Sequence, residues 1–137
     1  MESKGKTSSI TDFGAMPNGE IQTQNIQNAI DHAYSQGGGT VIVPKGVFLT
    51  GGVYLRSNVR LHLLKGAELF GSRDIKDYMT MNEPLDTKLV NLKLNQWESR
   101  WNNCIIKAVN AENIAVIGEE GSKIDGQNCY DSLGEEK

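Results

Sequence analysis

Gly39-Thr40-Val41-Ile42-Val43-Pro44-Lys45-Gly46-Val47-Phe48-Leu49-Thr50-Gly51 is built from short apolar runs punctuated by proline and glycine. Side chains alternate between the two faces of a strand, so Val41 and Val43 share one face and Thr40 and Ile42 the other. Pro44 has no N–H to give a ladder and closes the run. The pattern then recurs. Val41, Val43, Gly46, Leu49 and Gly51 return 20 positions on as Leu61, Leu63, Gly66, Leu69 and Gly71. Asn58, Val59, Leu61, Gly66, Leu69 and Gly71 return 55 positions on as Asn113, Ile114, Val116, Gly121, Ile124 and Gly126. Repeated strand–turn units this short, with no room for helices between them, predict a solenoid of stacked coils. Each coil buries its apolar face only against its neighbours.

Working outward, Ser8 to Phe13 reads as a short opening strand, and Pro17 and Gly19 mark a turn after it. Ile26, Ala29, Ile30 and Ala33 fall at i, i+3, i+4 and i+7, which predicts one helix over about 23–36. Thr23 is its expected N-cap, and Gly37-Gly38-Gly39 its stop. Further strands are predicted at Val47–Leu49, Val53–Leu55, Val59–Leu63 and Ala67–Phe70, then at Cys104–Val109, Ile114–Ile117 and Lys123–Asp125. Residues 72–100 break the rhythm and read as a long excursion from the solenoid rather than a second domain. Residues 1–137 are therefore taken as part of one domain. Its polar end at Asn128–Lys137 carries no recognisable cap, which suggests a piece of something longer whose open strand edges invite self-association.

Composition removes several classes of function. The 137 residues carry a net charge of −3 with no basic stripe, so no nucleic acid partner is expected. No apolar run approaches the roughly 18 residues that cross a bilayer, and the opening Met1–Lys6 is polar, unlike a signal peptide. His32 and His62 are isolated, and Cys104 and Cys129 belong to no paired ligand motif, so neither a metal site nor a cofactor is expected. Cys104, before Ile105-Ile106, is expected to be a buried thiol, with a Cys104–Cys129 bridge as the alternative. His62 should point outward if Leu61 and Leu63 point in, and His32 should lie at the helix surface. Asn58 and Asn113 at matching turns are expected to be structural, as is Asp125 through backbone hydrogen bonds. Asp74 and Asp77 are read as solvated loop carboxylates rather than a catalytic pair.

Eight segments together carry a resemblance. They are Asp12-Phe13-Gly14-Ala15, Ile26-Gln27-Asn28-Ala29-Ile30-Asp31, the run from Gly37 to Gly46, Leu49-Thr50-Gly51, Leu55-Arg56-Ser57-Asn58-Val59, Gly66-Ala67-Glu68-Leu69, Asp77-Tyr78 and Ile124-Asp125-Gly126-Gln127. In this order they resemble the N-terminal part of glycoside hydrolase family 28, the polygalacturonase family, over about Ile10 to Gln127. The resemblance departs at Pro17–Gln22, where the family has an aspartate-rich turn. It implies an all-β fold, a right-handed single-stranded parallel β-helix of the pectin-lyase-like type with an N-terminal capping α-helix. It also implies inverting hydrolysis of galacturonan-type pectic polysaccharide, in which acid and base carboxyls stand roughly 6.5–9.5 Å apart. The family's Asn-Thr-Asp, Asp-Asp, Gly-His-Gly and Arg-Ile-Lys motifs do not occur among these 137 residues. No catalytic residue is therefore carried over, and the chain alone is expected to be inactive. Export to the periplasm or outside the cell follows from so large a substrate.

Trp97, Arg100 and Trp101 are the candidate substrate-binding residues. Sugar rings lay their C–H faces on aromatic rings, and a guanidinium can grip a uronate carboxylate with two parallel bonds. Packing of the tryptophans onto the coils is the alternative reading of these residues. Two other functions fit the same architecture, a noncatalytic polysaccharide-binding module and a polysaccharide lyase. The lyase would call for clustered acidic metal ligands and a basic residue, and no such cluster is visible in the sequence.

Overall fold

The computed structural model describes residues 6–74, 76–78 and 104–127. Among the described residues, nine short strands wind into coils around an apolar core, and their pairings are parallel. Strands β1 (Thr7–Ser9), β2 (Gly39–Val43), β5 (Val59–Leu63) and β8 (Ala115–Gly118) stack in that order as the first sheet. The second sheet stacks β3 (Gly46–Thr50), β6 (Ala67–Gly71) and β9 (Lys123–Asp125). The third pairs β4 (Val53–Tyr54) with β7 (Ile106–Lys107). This is the solenoid of stacked coils that the alternation and the repeats predict, in the form of the parallel β-helix that the resemblance implies.

Inward residues form columns through the stack. Val41 pairs with Leu61 and Leu61 with Val116, while Phe48 pairs with Leu69 and Leu69 with Ile124. The first two members of each column are buried, whereas Val116 is 47% exposed and Ile124 42%. Exposure rises at the last described coil because no further coil covers it among the described residues.

The 55-residue repeat holds in both sheets, but the 20-residue repeat holds only in the first. In the second sheet the spacing is 21, so Gly46 faces Ala67 and Leu49 faces Phe70. The turn Leu64-Lys65-Gly66 is one residue longer than Pro44-Lys45, and it shifts every later partner by one. Leu49 therefore points outward, and Phe48 takes the core position that the repeat assigns to Leu49.

One end of the stack is closed at all three sheets. Strand β1 covers the edge of β2. Ile21 bridges to Leu49, and Gln22 N–H donates to Leu49 O at 2.8 Å, covering β3. The side chain of Gln27, on helix α1 (Thr23–Ser35), covers β4. The helix buries Ile26, Ala29, Ile30 and Ala33, its predicted stripe. It stops in a six-to-one bond from Gly38 N–H to Ala33 O and a five-to-two bond from Gly37 N–H to Tyr34 O. Gly37 holds the positive φ that this ending requires.

Two local expectations fail. Thr23 does not cap the helix. The cap position is Gln22, which makes no side-chain cap bond, and Thr23 Oγ1 instead accepts from Gly51 N–H at 2.7 Å, tying the helix start to the coil. The opening strand does not run to Phe13 either. Ser9 and Asp12 bond each other's backbone N–H neighbourhoods (Ser9 N–H to Asp12 Oδ2 at 2.9 Å, Thr11 N–H to Ser9 Oγ at 3.2 Å) and turn Ile10–Phe13 into a 3-10 helix. Such local side-chain bonds compete with a sheet ladder.

Candidate functional site

The place where the excursion leaves the solenoid is the corner between the second and third sheets. In the first coil the chain crosses this corner through Gly51-Gly52 alone. One coil on, it leaves β6 at Gly71 and rejoins at β7 through Cys104 and Ile105. A third coil passes the same corner at Asp125-Gly126-Gln127.

The base of the excursion is tied down by short-range bonds. Ser72 N–H donates to Thr50 O at 2.8 Å, continuing the ladder. The Ser72 hydroxyl bonds the Asp77 carboxylate and accepts from Asp74 N–H at 3.0 Å. Buried Tyr78 donates its hydroxyl to Ser72 O at 2.7 Å, and Gly52 N–H donates to Asp77 O at 3.3 Å. The fit leaves no room at two glycines. A Cβ on Gly51 would stand 2.1 Å from Asp77 O, and one on Gly71 would stand 2.6 Å from the Tyr78 hydroxyl oxygen. Leu-Thr-Gly in the sequence thus ends in glycine because the excursion's backbone crosses directly over it.

Asp74 and Asp77 are accordingly spent on loop closure. Asp74 Oδ1 accepts from Lys76 N–H at 2.9 Å, and Asp77 holds Ser72. Asp125 Oδ1 accepts from Gln127 N–H at 2.8 Å, the structural use expected of it. Gln127, at φ 57°, reaches back one coil to donate to Gly71 O at 2.9 Å. Asn113 Nδ2 donates to Asn58 Oδ1 at 2.9 Å, with both residues at positive φ, so this pair is a rung between coils. His62 lies on the outward face as expected, with Nε2 2.8 Å from Glu119 Oε2. His32 is exposed on α1 beside the Phe13 ring. Among the described residues, no group of three or more His, Cys, Asp and Glu is placed to hold a metal ion, and no helix is long and apolar enough to cross a membrane.

Cys104, half-buried at the return of the excursion, lies 3.2 Å from Ile106 O. Burial pushes its thiol pKa up, and the nearby Lys107 charge partly offsets that. Lys107 is itself buried, with Nζ 5.7 Å from the ring centre of Tyr54, its register partner. Trp97, Arg100, Trp101 and Cys129 lie outside the described residues, as does most of the 72–100 excursion.

The third sheet carries a cluster that the sequence reading did not single out. Arg56 Nη1 donates to Asp31 Oδ1 at 3.1 Å, and the guanidinium lies over the Tyr34 ring at 4.1 Å. The available signal was the alternation of Tyr54 and Arg56 with buried Val53 and Leu55, which places both on the outward face.

No family model matches the chain. An exo-poly-α-D-galacturonosidase of Dickeya chrysanthemi is 43% identical over 74 residues, which are 53% of this chain and 12% of that protein. The fold superposes on a hyperthermoactive exopolygalacturonase from Thermotoga maritima with a TM-score of 0.69 at 27% identity, over 92% of this chain and 26% of that one. It also superposes on a family 28 exopolygalacturonase from Yersinia enterocolitica with a TM-score of 0.60 at 26% identity, over 86% of this chain and 20% of that one. The chain therefore spans between an eighth and about a quarter of the length of these relatives. In sequence and in fold the chain is thus similar to part of polygalacturonases, those of glycoside hydrolase family 28 included, and it shares their parallel β-helix.

Proposed function

We propose that the chain is the N-terminal part of a glycoside hydrolase that cleaves galacturonan-type pectic polysaccharide by inverting hydrolysis. Its catalytic aspartates then lie in coils outside these 137 residues. The observation that carries this reading is the superposition on two exopolygalacturonases over 92% and 86% of the chain, joined to a closed end formed by β1, Ile21-Gln22 and Gln27. Residues 1–137 in this reading are one portion of a single β-helix domain. Its foundation is the helix cap, and its substrate-facing element is the 72–100 excursion. A secreted or periplasmic location follows from the size of the substrate.

Within the excursion, Trp97 and Trp101 stack on sugar rings and Arg100 holds a uronate carboxylate. The anchoring of residues 72–78 supports this, because a loop that contributes binding groups gains from a rigid base. Electrophoresis through a gel containing polygalacturonate tests it. The chain is expected to be retarded, and the combined W97A/R100A/W101A variant to be retarded clearly less. Equal retardation of both would remove these residues from the binding surface.

A further inference from the structure

Arg56 is held in place by three neighbours. Its Nη1 donates to Asp31 Oδ1, and the same carboxylate oxygen accepts from Gln27 Nε2 at 3.0 Å. Gln27 is in turn fixed by the backbone of Tyr54. Tyr34, one helical turn beyond Asp31, places its ring under the guanidinium. Among the described residues, the edge formed by Nε–H and Nη2 has no protein acceptor. That edge presents two parallel donors at the spacing of a carboxylate's two oxygens.

The exposure of the cluster argues against a purely structural clamp. The Arg56 and Asp31 side chains are 41% and 45% exposed, and an ion pair that open adds little to stability. Two long polar chains are nevertheless ordered into one geometry before any ligand arrives, which reduces the entropic cost of binding one. The neighbouring Asp31 also cancels the net charge. A polyanion would therefore be held here by the matched fork rather than by charge alone. Tyr34, 43% exposed, offers apolar ring surface beside the fork for the C–H face of a sugar.

We infer that the Arg56 guanidinium, seated over Tyr34 and braced by Asp31, is a second binding point for the carboxylate of an acidic sugar. It lies past the end of β4, at the opposite end of that strand from the corner where the excursion rejoins the third sheet. The identity of the sugar as a uronate rests on the pectic reading above.

The test is calorimetric titration with hexagalacturonate, using neutral galactohexaose as control. NMR observation of the Arg56 Nε–H resonance accompanies it. The wild-type chain is expected to bind the acidic oligomer, with that resonance shifting during the titration. Arg56→Lys keeps the charge but loses the fork, and is expected to weaken binding about tenfold while the thermal midpoint stays within about 2 °C. Tyr34→Ala should weaken binding in the same direction, and serves if Arg56→Lys proves unstable. Unchanged affinity in both variants, with no shift of the Nε–H signal, would overturn this site while leaving the pectic reading intact. Absence of any binding by the wild-type chain would overturn both.

Discussion

Gln27 closes the free edge of β4 with its side-chain amide, accepting from Tyr54 N–H at 2.7 Å and donating to Tyr54 O at 3.0 Å. A primary amide reproduces the donor and acceptor of a backbone unit, so one side chain replaces a strand that the helix would otherwise displace. Gln27→Ala removes both of these bonds to Tyr54. It is expected to cost about 1–3 kcal/mol in urea unfolding. Gln27→Glu keeps the acceptor and loses the donor, and should fall between the wild type and Gln27→Ala.

The corner glycines give a sharper contrast. Gly51→Ala forces a Cβ into Asp77 O and should cost about 3 kcal/mol, because the obstacle is backbone and cannot swing aside. Gly126 occupies the same corner in the last described coil with nothing within 4 Å. Gly126→Ala should change stability by less than about 1 kcal/mol. Equal effects of the two substitutions would mean that residues 72–78 do not cross the solenoid where they are placed.

The core columns predict a gradient along the stack. Leu61 is fully buried between Val41 and Val116, so Leu61→Ala should cost about 2–5 kcal/mol. Val116 occupies the next position of the same column but is half-exposed, and Val116→Ala should cost under about 1 kcal/mol.

Cys104 provides a chemical readout at the return of the excursion. Its thiol pKa is raised by burial and partly lowered by Lys107, so at pH 8 less of it is thiolate than for an exposed cysteine. Alkylation by iodoacetamide should be slower than for a cysteine peptide. Lys107→Met removes the charge that favours the thiolate and should slow it further.

The first sheet was legible in the sequence because Val41, Val43, Leu61 and Leu63 obey strict alternation and their spacing is undisturbed. The second sheet was legible only as a repeat. One additional turn residue before Ala67 shifted the pairing, and sequence spacing alone counts Leu49 and Leu69 as equivalents when Phe48 and Leu69 are. Thr23 shows a different limit. A hydroxyl at a helix start satisfies a cap in the absence of competitors, and here the Gly51 N–H from a coil 28 residues away took it. Gln27 gave no periodic signal, and the alternation that puts Arg56 on the outward face does not name its partners, because both roles are polar and depend on how the helix lies against β4. The candidacy of Trp97, Arg100 and Trp101 rests on side-chain chemistry, and the three lie outside the described residues.

In the reading proposed above, this β-helix foundation serves hydrolysis carried out by further coils. The most direct measurement is reducing-end release from polygalacturonate, comparing the 137-residue chain with a chain extended by the later coils of a family 28 enzyme. Activity in the extended form and none in the short one is the expected result. Hydrolysis by the short chain alone would contradict it.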